Sequence, residues 1–243
     1  MNPLYLDIGN SNLKLAAESN GEWVIVFEGA ISSMGDLIYH LKKAENHSEI
    51  IVSSVRVDVV NQLKKSELQQ KLSIIRFDDI SQKFLNYNTP QTLGLDRFFS
   101  CFGAVKLSEK NVIVVDAGTA CTVDFMTSDK VFEGGVILPG LRITKQAMKN
   151  ELPELPIPEE YIPEHWPGKS TKECIQWGLY GGMKAAIQSY IDRYNAQYRD
   201  VSLHITGGEA GIIQKLLGSE LVMNHHKFLV FEGMKEFVRS KPG

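Results

Sequence analysis

Three aspartates in this chain stand where chemistry on an anionic substrate can be done. Asp7 heads Asp7-Ile8-Gly9-Asn10-Ser11-Asn12-Leu13-Lys14, Asp116 heads Asp116-Ala117-Gly118-Thr119-Ala120-Cys121-Thr122, and Asp96 lies in Gly94-Leu95-Asp96-Arg97. The first two runs are near copies almost half a chain apart, each leaving one apolar run and entering another. In both, a glycine lets the backbone turn. Such a turn aims backbone N–H groups and small hydroxyl or amide side chains at a phosphate. The carboxylate, too near to bind an anion itself, is placed to hold a cation beside it. Either run alone also reads as an ordinary hairpin turn. The repetition points to a nucleotide held between two related halves.

In the first run, the backbone from Gly9 to Asn12 and the side chains of Asn10 and Ser11 would meet terminal phosphates. Lys14 would add charge, and Asp7 would hold Mg²⁺ directly or through water. In the second, Asp116 leaves the apolar strand Val112 to Val115, where a carboxylate needs a partner or a cation. The third segment, from Tyr87 to Arg97, is irregular and enters a helix. Asp96 there is either a helix-capping acid or a general base, with Arg97 beside it to bind an acidic substrate. Thr206-Gly207-Gly208-Glu209 follows a short apolar strand, and its glycines read as a strand-to-helix turn or as room for a base or ribose. His225 and His226 have no spaced third ligand and His165 stands alone, so they read as surface residues.

The 243 residues, 43% hydrophobic and 23% charged, suit one or two globular domains with a substantial core. A net charge of −3, with lysines and arginines scattered, argues against nucleic acid as the main ligand. Cys101, Cys121 and Cys174 are odd in number, lack C-x-x-C spacing and read as buried reduced thiols. There is no signal-like N-terminus and no stretch of about 18 apolar residues, so no membrane partner is expected and the cytoplasm is the expected compartment.

Periodicity places strands at Leu4 to Ile8, Leu13 to Ala17 and Trp23 to Ala30, the last two joined by the hairpin signal Asn20-Gly21. A helix to about Ala44, a strand from Ile50 to Val55, a helix from Val59 to Leu72 and a strand from Ser73 to Phe77 follow. After a helix from Leu95 to Leu107 the opening repeats: strands at Val112 to Val115, Thr122 to Met126 and Val131 to Leu138, then a helix from Leu141 to Leu152. Five of the nine prolines fall between Pro153 and Pro167, which reads as an ordered surface loop or lid. A long helix from Thr171 to Tyr198, a strand from Val201 to Thr206, a helix from Glu209 to Leu217, a strand from Phe228 to Phe231 and a terminal helix complete the reading. The fold class is α/β with duplicated halves, each β-β-β-α-β-α-β, divided as 1–108 and 109–243.

Taken in order, Asp7-Ile-Gly-Asn-Ser, Gly94-Leu-Asp-Arg97, Asp116-Ala-Gly-Thr-Ala-Cys-Thr122, Gly134-Gly-Val-Ile-Leu-Pro-Gly-Leu141 and Thr206-Gly-Gly resemble the type III pantothenate kinases. Those enzymes belong to the acetate kinase, sugar kinase, heat-shock chaperone and actin superfamily of duplicated ribonuclease H-like folds. The resemblance implies ATP-dependent phosphorylation of pantothenate, the first step toward coenzyme A, with the nucleotide in the cleft between the halves. It also implies a homodimer.

Carried over residue by residue, Asp7 to Lys14 would be the first ATP loop, Asp116 would bind a monovalent cation, K⁺ or NH₄⁺, and Thr119 would contact the nucleotide. Asp96 would accept the proton of the pantothenate hydroxyl, and Tyr87 with Gly94, Leu95, Asp96 and Arg97 would line the pantothenate site. Thr171 would complete it, across the dimer interface. Two letters depart from the family pattern: Leu95, where a small residue is more usual, and Ser11, where threonine is. Other readings are a sugar or acetate kinase, a non-enzymatic accessory factor and a polymerising actin-like ATPase. The short chain argues against the first and last, and joint retention of Asp7, Asp96 and Asp116 against the second.

Overall fold

The computed structural model describes residues 2–43, 47 and 49–240. The chain divides into two compact units, one of Met1–Leu107, Lys130–Phe132 and Phe228–Gly243, the other of Ser108–Asp129 and Glu133–Lys227.

In the first unit, β1 (Leu4–Ile8), β2 (Asn12–Ser19) and β3 (Glu22–Ala30) form an antiparallel meander. The turn between β2 and β3 has both central residues at positive φ, Asn20 at 53° and Gly21 at 84°, the conformation that the Asn-Gly pair signals. Next come α1 (Met34–Lys43), β4 (Ile50–Ser54), α2 (Val57–Lys64), β5 (Leu72–Ile74) and α3 (Leu95–Ser108). The sheet order is β3-β2-β1-β4-β5, with β4 parallel to both β1 and β5. Alternation decides its faces. Leu4, Leu6 and Ile8 with Leu13 and Leu15 turn to a core shared with Leu37, Leu41, Val59 and Leu63, all at most 2% exposed. Each such side chain contributes about 1.5–3 kcal/mol relative to exposure. Asp7 is thereby turned to the other face.

The second unit repeats the plan: β6 (Asn111–Ala117), β7 (Ala120–Met126), β8 (Phe132–Pro139, whose first residue belongs to the first unit), α4 (Leu141–Glu151), α5 (Thr171–Gln176), α6 (Gly182–Gln197), β9 (Val201–Thr206), α7 (Ala210–Leu217) and β10 (Asn224–His225). Its strand order, β8-β7-β6-β9-β10, corresponds strand for strand to the first sheet. The expected duplicated ribonuclease H-like fold is therefore present. Ile113, Val115, Ala117, Cys121, Val123 and Phe125 pack with Ile187, Ile191 and Ile213 on the core face, leaving Asp116, Thr122, Asp124, His204 and Thr206 on the other.

Several elements depart from expectation. In place of the strand expected over 228–231, Phe228 lies in a turn and Leu229 opens a helix, α8 (Leu229–Ser240); Leu229, Gly233, Met234 and Phe237 recur at helical spacing and are buried. The closing strand is the two-residue β10. The helix foreseen from Val59 to Leu72 starts at Val57 and stops at Lys64, and a 3₁₀ turn (Gln69–Lys71) leads into β5, which ends at Ile74. The expected end of α1 at Ala44 lies outside the described residues.

The long helix from Thr171 is split by a π-helical turn (Trp177–Gly181) at its glycines. Together with the Pro-rich loop, α5 and this turn form an insertion that has no counterpart in the first unit. The loop is fastened: Gln176 Nε2 donates to the Glu159 carbonyl at 3.2 Å, Trp177 Nε1 to that of His165 at 3.0 Å and Tyr180 Oη to that of Pro158 at 3.3 Å.

In the first unit, α8 lies against α3 with their backbones in contact. A Cβ on Gly103 would sit 2.4 Å from the Leu229 carbonyl oxygen, so only glycine permits this crossing. Trp23 of β3 packs its ring 5.6 Å from that of Phe231 and donates from Nε1 to Glu232 at 2.6 Å. Of the cysteines, Cys101 and Cys121 are buried as expected, but Cys174 is exposed on α5. No helix among the described residues is long and apolar enough to cross a membrane.

Candidate active site

Asp7 is the penultimate residue of β1 and the loop 9–11 follows at the carboxyl end of that strand. The loop is braced from three sides. Gly9 N donates to the Asn12 carbonyl at 3.0 Å, Ile31 N to that of Ser11 at 3.0 Å, and Arg56 Nη1 to that of Asn10 at 3.3 Å. Arg56 is a residue the sequence did not single out. Its guanidinium is fixed by Asp58 at 2.8 and 2.6 Å, and that pair holds the Asp58 carboxyl down at about 2. Across the strands, Asp7 is in register with Lys14 of β2 and Ser53 of β4. Lys14 Nζ lies 3.6 Å from a carboxylate oxygen of Glu28 on β3. Ser53 is buried with no hydrogen-bond partner for its hydroxyl.

Asp96 occupies the first turn of α3, half-buried, and its Oδ1 accepts from Arg97 N at 2.9 Å. Burial raises its pKa above the ordinary carboxylate value, opposed by that N–H and by the Arg97 charge. A carboxylate in this state is a stronger proton acceptor than one in water. Gly94 makes the placement possible, since a Cβ there would lie 2.5 Å from Asp96 Oδ1. Leu95 is 6% exposed and belongs to the core, which explains why a large residue is tolerated at that position.

Arg97 is buried and its guanidinium lies over the ring of Phe132, 5.7 Å from the centroid. The Tyr87 ring meets the same phenylalanine edge-on at 5.9 Å. Phe132, which the sequence offered only as a strand residue, thus brings Tyr87 and Arg97 together. Asn86 N, donating to the Phe132 carbonyl at 3.0 Å, anchors the segment.

In the second unit Asp116 is again penultimate in its strand, β6, which runs two residues beyond the expected end at Val115. It is in register with Thr122 of β7 and Thr206 of β9. Gly207, at φ 94°, turns the chain so closely beneath it that a Cβ would sit 2.6 Å from Asp116 Oδ1. The Thr-Gly-Gly run therefore shapes the surroundings of the aspartate.

Thr119, in the following turn, accepts from Arg142 Nη2 at 3.2 Å. Glu209 ties the region together: its carboxylate accepts from Leu141 N at 3.0 Å and Arg142 N at 2.9 Å, and its own N–H donates to the Ala117 carbonyl at 2.8 Å. A carboxylate from another element so fills the amino end of α4.

Burial first, then the charges of Asp116, Glu209 and Asp124, push the Cys121 thiol up to about 12, and those three carboxylates lie near that turn. The carboxylate of Asp116 and the hydroxyls of Thr122 and Thr206 are oxygen donors of the kind that suit a hard cation. Among the described residues no group of three or more His, Cys, Asp or Glu is arranged to hold a metal. Thr171 opens α5 and is exposed; its neighbour Ser170 caps that helix by accepting from Glu173 N at 3.3 Å.

The type III pantothenate kinase family model matches residues 3–193 of this chain. The type III pantothenate kinase of Flavobacterium johnsoniae is 31% identical over 93% of each chain, and that of Phocaeicola vulgatus 31% identical over 97% of each. Among solved structures, a protein of Campylobacter jejuni described as a transcriptional activator of the Baf family superposes with a TM-score of 0.67, at 22% identity over 97% of each chain. That likeness speaks for the fold.

Proposed function

The chain belongs to the type III pantothenate kinases, and on that premise we propose how its residues divide the transfer of a phosphoryl group from ATP to pantothenate, with Asp96 as the general base. The activity is that of the family: ATP-dependent phosphorylation of pantothenate in coenzyme A biosynthesis, with a divalent metal as usual for kinases. The assignment of roles rests above all on Asp96. Its carboxyl is half-buried, its pKa is raised by burial, and Gly94 is cut away beside it.

In this reading the loop from Asp7 to Lys14, including Ile8, Gly9, Asn10, Ser11, Asn12 and Leu13, cradles the terminal phosphates with backbone N–H groups. The Arg56 bond to Asn10 keeps it from collapsing. Asp7 holds Mg²⁺ directly or through water; the ion would neutralise phosphate charge, and with few protein ligands it would keep several waters. Asp96 takes the proton from the acceptor hydroxyl as the bond to phosphorus forms. Tyr87, Gly94, Leu95 and Arg97 line the acceptor site.

In the second unit Thr119 contacts the nucleotide, and Asp116, with Thr122 and Thr206 beside it, holds a monovalent cation, K⁺ or NH₄⁺. We place the enzyme in the cytoplasm as a homodimer, with Thr171 completing the acceptor site. The test is direct: purified protein with ATP, Mg²⁺, K⁺ and pantothenate should give phosphopantothenate by mass spectrometry. Phosphorylation of acetate or glucose in its place would overturn the reading.

A further inference from the structure

The first unit contains a cavity of about 510 Å³ that runs from Gly94 and Leu95, already placed at the acceptor site, past Arg56 to residues that have no role above. It opens at the carboxyl ends of the parallel strands β4 and β5, lined by Ser54 to Val57 after the first and Ile74 to Phe77 after the second. Ligands of open α/β sheets sit at that end of the strands. Gln91 to Leu95 form another part of its wall, so the cavity reaches the glycine beside the proposed base. Its size suits a small molecule.

The chemistry of the lining is uneven. Val60, Ile75 and Leu93, between 5 and 9% exposed, give an apolar floor. Three cations line the cavity, Arg56, Lys64 and Arg76, and no carboxylate does. The Arg56 charge is matched by Asp58. Lys64, on the last turn of α2, and Arg76, just past β5, take part in no ion pair among the described residues.

Pantothenate carries a reactive hydroxyl beside a branched apolar carbon at one end and a carboxylate at the other. We propose that this cavity seats the body of the acceptor and that Lys64 and Arg76 recognise its carboxylate, making them specificity-determining residues. This rests on the pantothenate reading. It takes the carboxylate away from Arg97, whose guanidinium is buried over Phe132.

The experiment compares two acceptors, pantothenate and its alcohol analogue with CH₂OH in place of the carboxylate, in wild type, Lys64→Gln, Arg76→Gln and the double variant. The KM for pantothenate should rise about tenfold in the double variant, as expected for losing charge-assisted contacts that remain partly solvated. The KM for ATP and for the alcohol should stay put, and Arg76→Lys, unlike Arg76→Gln, should keep the pantothenate KM near the wild-type value. An unchanged KM for pantothenate, or an equal rise for the alcohol, overturns the proposal and leaves the kinase reading standing. Should the glutamine variants fail to fold, the wild type still decides: it must prefer pantothenate to the alcohol, and equal KM values would sink the idea. Absence of any phosphopantothenate from wild type is a different result, and counts against the kinase reading itself.

Discussion

A methyl group on Gly94 would lie 2.5 Å from Oδ1 of Asp96, closer than such atoms approach. The atom that must yield is the free end of a side chain, so the backbone can stay where it is. Gly94→Ala should therefore lower kcat by roughly 10- to 100-fold through misplacement of the base, with the thermal midpoint nearly unchanged. Wild-type turnover in a stable variant would separate Asp96 from the chemistry.

Asp96 itself should show its role in pH profiles. Its pKa is raised in the folded chain, so the acid limb of kcat/KM should lie above the ordinary carboxylate range. Asp96→Asn should remove that limb and reduce kcat by roughly 10²-fold or more. The sign for stability is the reverse. The folded state binds the proton more tightly than the unfolded one, so stability falls as pH rises through the folded value. At neutral pH Asp96→Asn should melt at or above the wild-type temperature; a marked drop would make the carboxylate a structural element.

The two penultimate aspartates differ in their cross-strand neighbours. Asp7 faces Lys14, a built-in cation, whereas the corresponding neighbour of Asp116 is Thr122. A monovalent ion is thus expected at Asp116. Replacing K⁺ by Na⁺ should depress wild-type activity and matter little in Asp116→Ala, already impaired. Equal wild-type rates in the two salts would leave Asp116 without its ion.

Glu209 acts on the turn at Thr119 through α4. Glu209→Ala strips the two N–H groups of Leu141 and Arg142 of their acceptor, which should cost about 1–2 kcal/mol of stability and loosen Arg142 from Thr119. The KM for ATP should rise severalfold, with the KM for pantothenate little changed. Equal changes in both would mean a general loss of structure.

His204 is buried on β9 with neither ring nitrogen hydrogen-bonded, 5.5 Å from the His226 ring. Burial, and secondarily His226, push its pKa down to about 4. Between that value and the ordinary 6.5 the unfolded chain binds the extra proton, so stability is fully present above 6.5 and is lost as pH falls toward 4. Melting temperatures at pH 7 and pH 5 should differ less in His204→Leu than in wild type, and an identical difference would exclude His204 as a source.

Much of the scaffold was legible because apolar and polar residues alternate along strands; β1 and β9 have the expected bounds residue for residue, and Asn20-Gly21 marks its turn. The short apolar start of α8 misled because four apolar residues fit either period, and its helical character shows only at Met234 and Phe237. The repeated aspartate loops were legible as local runs. Their neighbours were not, because Ser53 and Thr206 reach them only through parallel pairing of strands distant in sequence. Glu209 meets α4 from 67 residues away, and nothing local in Gly-Gly-Glu announces a cap for another helix. Phe132 was hidden for the same reason.

The seating of α8 has a consequence for the newborn chain. The helix belongs to the first unit, yet the ribosome makes it only after the whole second unit. Until it emerges, Trp23 and the α3 surface around Phe99 and Gly103 have no cover. The first unit must wait, greasy side open, for its lid, while the second can mature at once. Chaperone capture should therefore favour released chains truncated before residue 229 over released full-length chains.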